Sequence, residues 1–247
     1  MLTVKNYLKN KFFKAKETDP ELAYDIWAGS YDAQPDNLML ALDKEVFQSL
    51  LNGIELKDKV LADIGCGTGR HWQNLYDSGL QKIIGFDVSE KMLEQLKQKF
   101  PKARTHRLLN NNLYDLKDNS CDIVISTLAI AHIKNAAEAL TEWARVLKPG
   151  GTIIITDNHP TALANGADRT FKHNDKKIAI INYVHSIDKL KAIATSLNLS
   201  LIKVVERNID DSVRSYYEKL QAIAVFEKWK NTPIIYGIQL KKANDIS

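Results

Sequence analysis

Between residues 58 and 157 the chain alternates two patterns. Short apolar runs rich in β-branched residues are separated by stretches where apolar positions recur every three or four residues. This predicts strands over 59–64, 82–87, 104–108, 121–126 and 151–156, with helices over 68–78, 89–99 and 135–147. Strands alternating with helices of that length imply βαβ units and a parallel sheet. Ser89 is placed to cap the second helix, and Glu90 puts a negative charge in its first turn, where the helix dipole favours it. Residues 1–57 read as mostly helical, with a turn over 32–37 around Pro35. After His159-Pro160 the alternation fails: 158–186 is a polar stretch followed by a β-like run over 177–184. A helix over 187–197, a strand over 199–209, a helix over 213–229 and a strand over 233–240 complete the chain. Pro233, with no N–H to give, suits the start of a strand not yet in its ladder.

The densest chemistry lies where the first two strands end. Ala62-Asp63-Ile64-Gly65-Cys66-Gly67-Thr68-Gly69-Arg70 is an apolar strand running into a glycine turn, and Ile83-Ile84-Gly85-Phe86-Asp87 is a second strand ending in a carboxylate. Glycines let the backbone approach a ligand where a Cβ would clash. An acid after the second strand can accept from both hydroxyls of a ribose. A dinucleotide site has the spacing G-x-G-x-x-G and a helix N-terminus facing a pyrophosphate. Here the glycines stand at 65, 67 and 69, and Arg70 occupies the place of the last one. Asp63 would repel a pyrophosphate but attract a cation. A nicotinamide-dependent oxidoreductase is therefore disfavoured.

An acid before a G-x-G-x-G turn and a second acid after the next strand resemble the class I S-adenosylmethionine (SAM) dependent methyltransferases. Two further stretches are similar to that family: Asp118-Asn119-Ser120 leading into Cys121-Asp122-Ile123-Val124-Ile125-Ser126, and Leu147-Lys148-Pro149-Gly150-Gly151-Thr152 turning into the fifth strand. The resemblance covers residues 58–157. It implies an α/β, Rossmann-like doubly wound sheet, mostly parallel with an antiparallel last strand. N-terminal helices (1–57) would precede the SAM-binding core (58–157). A lid insertion (158–186) and a C-terminal part of the sheet with an added helix (187–247) would complete one domain. The "Y-D-x-x-A-x-x-Y-D" entry helix of small-molecule members is matched by Tyr24-Asp25-Ile26-Trp27-Ala28-Gly29-Ser30-Tyr31-Asp32. The implied cofactor contacts are Tyr24, Tyr31, Asp63, Gly65, Cys66, Gly67, Asp87 and Val88. Asn111, Asn112 and Leu113 fall where the family reads the adenine. Tyr24, Trp27 and Tyr31 also form a stripe at helical spacing that would serve a core equally well.

A hydroxyl acceptor requires a base, and imidazole is the usual one. His132 and His159 follow the fourth and fifth strands, at the sheet edge where ligands bind in open α/β folds, and are the candidate catalytic residues. His173 and His185 lie further along, and Arg169 in the insertion could hold an acceptor carboxylate. The Asn/Asp-Pro-Pro-Tyr/Phe of enzymes acting on base amines is replaced by Ser126-Thr127-Leu128-Ala129. The expectation is methyl transfer to a small organic acceptor at oxygen. The alternatives are nitrogen or a macromolecule as acceptor, and a SAM-binding partner or sensor that has lost catalysis.

Charge sharpens this only at one end. Of the net +4, residues 1–17 account for all, leaving 29 basic and 29 acidic residues elsewhere. A neutral body argues against a broad nucleic-acid surface. The basic segment places Val4, Leu8 and Phe12 at helical spacing, which suits weak contact with an anionic membrane surface. No apolar run is long enough to span a bilayer, and the two cysteines suggest neither a disulfide framework nor a metal site. A cytoplasmic location is the expectation.

Overall fold

The computed structural model describes residues 16–34, 37–167, 169–174 and 176–244. The basic amphipathic segment lies outside the described residues apart from its last two positions, and so does Pro35 of the expected turn. Strand β1 (Lys16–Thr18), helix α1 (Pro20–Tyr31) and helix α2 (Leu38–Leu51) come first. The alternating core follows as β2 (Val60–Ile64), α3 (Trp72–Asp77), β3 (Lys82–Asp87), α4 (Glu90–Lys99), β4 (Arg104–Arg107), β5 (Cys121–Thr127), α5 (Ala136–Val146) and β6 (Leu147–Asn158). The insertion holds α6 (Pro160–Ala164) and the antiparallel hairpin β7 (Thr170–His173) and β8 (Lys176–Ile180). The chain ends with α7 (Ile187–Ser196), β9 (Leu199–Asn208), α8 (Arg214–Lys219), α9 (Ile223–Trp229) and β10 (Pro233–Lys242).

Seven strands form the central sheet in the order β4-β3-β2-β5-β6-β10-β9. All pairings are parallel except those of β10, which runs antiparallel to both β6 and β9. Successive side chains of a strand point to opposite faces, and both faces here are apolar, as a parallel sheet covered on both sides requires. On one face Ala62, Ile64, Val124 and Ile155 pack with Leu140 and Trp143 of α5 and Leu190 of α7. On the other, Leu61, Ile83, Ile123 and Ile154 pack with Leu42 and Phe47 of α2, Trp72 of α3 and Leu96 of α4. Ser89 caps α4 as expected, its Oγ accepting from the Met92 N–H at 3.1 Å. Among the described residues no helix is long and apolar enough to cross a membrane.

Besides its helices the N-terminal region holds β1, which pairs in parallel with β8 and joins the insertion hairpin in a second sheet of order β1-β8-β7. Three residues carry too little alternation to announce a strand. The first core helix begins at Trp72 and not at 68, because Gly67 and Gly69 adopt φ of +52° and +72°. The single helix over 213–229 is broken at Gln221, φ +52°, into α8 and α9. Tyr217 and Phe226 are nine positions apart, which on one helix puts them on opposite faces. The break brings their rings to 5.6 Å, against the same core.

Candidate functional site

The ends of β2, β3 and β5 open onto a cavity of about 350 Å³, within the about 300–1,000 Å³ range of small-molecule sites. Tyr24, Tyr31, Gly65, Gly67, Asp87, Val88 and His132 line it, with Ile64, Leu128 and Ala129 between them and Met92, Leu108 and Leu109 to the side. Gly65 sits at φ +72°, and a Cβ there would lie 2.4 Å from that of Ala129. At Gly67 a Cβ would meet nothing within 4 Å, so the space beside it is open.

Two buried carboxylates mark this edge. Asp87 accepts from the Gly67 N–H through Oδ2 and from the Ser89 N–H through Oδ1, each at 2.8 Å. Burial raises its pKa to about 6 against the pull of those donors. Asp63 is not among the lining residues. Its Oδ2 accepts from the Trp72 indole N–H at 2.7 Å, while Oδ1 is buried with no partner among the described residues. Burial raises its pKa to about 7, opposed by the Trp72 bond and aided by the charge of Asp87. A buried acceptor without a donor is expensive in a folded protein, and it fits a cationic ligand group.

Helix α1 lies across this edge. Its Asp25 accepts from the Ser89 hydroxyl at 2.6 Å and the Lys91 N–H at 3.2 Å. Asp32 accepts from the Thr68 hydroxyl at 2.7 Å and pairs with Lys99 at 2.8 Å. Glu21 pairs with Arg107. The stripe Tyr24, Trp27, Tyr31 faces inward, and Trp27 stacks on Phe171 of β7 at 4.5 Å. Tyr24 and Trp27 pack a small core with Ala23 and Phe171, and Tyr24 and Tyr31 line the cavity.

His132 lines the cavity, but its imidazole is fully engaged. Nδ1 donates to the Ile181 carbonyl at 2.9 Å, which leaves Nε2 as an acceptor. Nε2 takes the Tyr24 hydroxyl at 3.0 Å and an Arg169 N–H at 2.8 Å. Burial, and then the Arg169 charge, lower its pKa to about 3. Arg169 itself forms a buried ion pair with Asp157 and donates to the Leu128 carbonyl.

Several expected residues stand elsewhere. His159 does not line the cavity: its Nδ1 accepts from the Thr161 N–H at the start of α6, and its Nε2 donates to Glu206 at 2.7 Å. The Cys66 thiol is buried in the core beside Gly85, so Cys66 offers the turn only backbone. Asn111, Asn112 and Leu113 are not among the lining residues; Leu113 is 1% exposed in the core, and the Asn112 amide bonds Tyr114. Leu108 and Leu109 occupy the expected place, carried there because the Leu108 N–H bonds the Asp87 carbonyl. His185 bonds the Ile133 carbonyl, and His173 lies exposed on β7. Sequence reasoning also missed Asp43, wholly buried on α2 and bonded to Arg70 at 2.6 Å, His71 at 3.1 Å and Thr156. Its signal was an acid inside the apolar stripe of a helix.

Residues 62–155 match the family model described as a methyltransferase domain. Over that stretch the chain carries the pattern of a methyltransferase domain. An uncharacterised protein of Haemophilus influenzae is 34% identical over 152 residues, 59% of each chain. A ubiquinone/menaquinone biosynthesis C-methyltransferase of Campylobacter jejuni is 32% identical over 46% of this chain and 51% of its own. A malonyl-[acyl-carrier protein] O-methyltransferase of Serratia marcescens is 32% identical over 54% and 50%. The chain thus spans about half the length of the curated relatives it matches. A SAM-dependent methyltransferase from Mesorhizobium loti shares the fold, with a TM-score of 0.63 at 18% identity over 80% of this chain and 96% of that one.

Proposed function

We propose that this protein transfers the methyl group of SAM to a small organic acceptor, at an oxygen that arrives already ionised. Asp63, with its partnerless Oδ1, and the Gly65–Gly67 backbone would hold the cationic amino-acid end. Asp87 would take the ribose and Val88 the adenine. Bound SAM would supply an activated methyl with a neutral thioether as leaving group, so an anionic acceptor would become neutral and no proton would need placing. What supports this reading is the state of His132. An imidazole whose lone pair is taken by Tyr24 and Arg169, and whose pKa is near 3, is a poor general base. It is a positioning residue that fixes Tyr24 at the cavity wall. The chemistry left to the protein is alignment and exclusion of water.

The test is incubation with SAM labelled on its methyl and a cell extract separated by size. Label on a small compound that is released as methanol by mild alkali is the expected result. Alkali-stable label on a small compound would move the acceptor from a carboxylate to a phenolic oxygen, carbon or nitrogen, and label on RNA or protein would overturn the small-molecule reading. SAM binding without transfer would favour a sensor or partner role.

A further inference from the structure

A second cavity, of about 170 Å³, adjoins the first and shares Tyr24, Tyr31 and Leu128 with it. We infer that this cavity is the acceptor site and that it takes a small carboxylate with a flat apolar body. The inference rests on the reading that SAM occupies the larger cavity.

Size argues first. The volume is below the about 300 Å³ where sites for drug-sized ligands begin, so a macromolecular side is not accommodated. The walls argue next: Trp27 and the two tyrosines supply aromatic surface, and Met39 and Leu40 of α2 add aliphatic surface. The polar groups then select the ligand's other end. Asn37 also lines the cavity, but its carboxamide is engaged, accepting from the Met39 and Leu40 N–H groups and donating to Gln34. Asn158, Arg169 and Thr170 differ. Among the described residues the Asn158 carboxamide and the Thr170 hydroxyl have no partner. Arg169 gives Nη1 to Leu128 and His132 and one Nη2 hydrogen to Asp157. The Tyr24 hydroxyl also bonds the guanidinium, which leaves one of its five N–H groups without a described acceptor. Three side chains with free donors thus line one small apolar space, and a planar two-oxygen acceptor matches them.

The position is also right for transfer. The Arg169 guanidinium touches the Leu128 carbonyl and His132, both of which line the larger cavity. A carboxylate held there lies at the partition between the two spaces, so the oxygen it presents faces the methyl donor. Leu128 holds φ +54°, a region that side chains other than glycine rarely adopt; its carbonyl is fixed by Arg169 and its N–H by Thr156.

The test uses benzoate, phenylacetate and cinnamate as probes, with benzamide as the neutral control, titrated into the SAM-free protein and followed by tryptophan fluorescence and ligand-observed NMR. At least one carboxylate should bind saturably and at least tenfold more tightly than benzamide. Asn158→Ala and Thr170→Val should each weaken that binding about tenfold, the size of one hydrogen bond to a charged group. SAM affinity, measured by calorimetry, should stay within twofold in both variants. Failure of all three carboxylates to bind, equal binding of benzamide, or unchanged binding in both variants would overturn the proposal. Absence of SAM binding to the parent would instead overturn the cofactor reading, while the carboxylate titration still reports on this cavity.

Discussion

Two buried carboxylates flank the glycine turn, and they live under opposite conditions. Around Asp43 every oxygen is met: Arg70 and His71 donate to Oδ2, and Thr156 donates to Oδ1. Burial alone would raise its pKa, but Arg70, His71 and Thr156 outweigh burial and hold it at about 2. Around Asp63 burial is as deep, yet one indole N–H is the whole supply, and the pKa rises to about 7. The same side chain at the same depth is a fastening in one region and an open valence in the other. What separates them is the number of donors within reach. The Asp43 region ties α2 to the glycine turn and to β6; the Asp63 region leaves one carboxylate oxygen unmet among the described residues.

Breaking the fastening should have the largest effect. Asp43→Ala strands Arg70 and His71 without their carboxylate, and losing one member of a buried charged network costs about 3–5 kcal/mol. Urea unfolding should show this as a lower midpoint, with SAM affinity little changed well below the transition. Asp63→Asn should behave in reverse. The carboxamide oxygen still accepts from Trp72, so stability of the ligand-free protein should hold or rise. SAM binding should weaken about ten- to hundredfold, as loss of a charge-assisted bond of about 1.5–3 kcal/mol predicts. Calorimetry on the folded variant separates the two; equal SAM affinity in parent and Asp63→Asn would remove Asp63 from the site.

Acidity sharpens the same contrast. Asp43 has a folded pKa below that of a free carboxylate, so its contribution to stability is present above pH 4 and is lost as pH falls toward 2. Asp63 and Asp87 have folded pKa values raised to about 7 and 6, so the folded protein holds extra protons between pH 4 and 7. Their effect on ligand-free stability is therefore favourable at pH 4 and declines as pH rises to 7. On the proposed reading, cationic SAM binds the ionised form of both. Its affinity should fall as pH drops below about 7, approaching tenfold per unit where one proton is displaced. Calorimetry in buffers of different ionisation enthalpy should show proton release near pH 6. At saturating SAM, turnover should show no limb between pH 6.5 and 8 from His132, which stays neutral there.

The legible and illegible parts of the sequence divide along similar lines. The alternating strands and helices of 58–157, the glycine turn and both its acids were readable because each signal is local: an apolar run, a spacing, a carboxylate at a strand end. Asp43, His132 and Arg169 were illegible in their roles, because their partners lie 27 or more positions away for Asp43 and 37 positions apart for the Arg169–His132 contact. His132 looked like a base since the sequence shows an imidazole at the ligand edge. What removes that role is an arginine from the insertion and a carbonyl from beyond β8. The three asparagines over 110–112 misled for a related reason: the chain reaches the cavity earlier, at Leu108, and then turns to bury Leu113.

The smallest effect should come from within the glycine turn, where two neighbours test open space against filled space. At Gly65, φ +72°, a Cβ would lie 2.4 Å from Ala129 Cβ, so that position is filled. Gly67→Ala meets no atom within 4 Å. Its penalty is the left-handed backbone at φ +52°, about 1–2 kcal/mol, or roughly 2–8 °C in Tm for a chain of this size. The added methyl would occupy the lining of the larger cavity, beside the N–H that anchors Asp87. SAM affinity should therefore fall by more than the loss of stability explains, while carboxylate binding in the smaller cavity stays unchanged. A Gly67→Ala protein that binds SAM like the parent would mean that the open space at Gly67 serves the turn alone, and the cofactor would have to be placed further along α1.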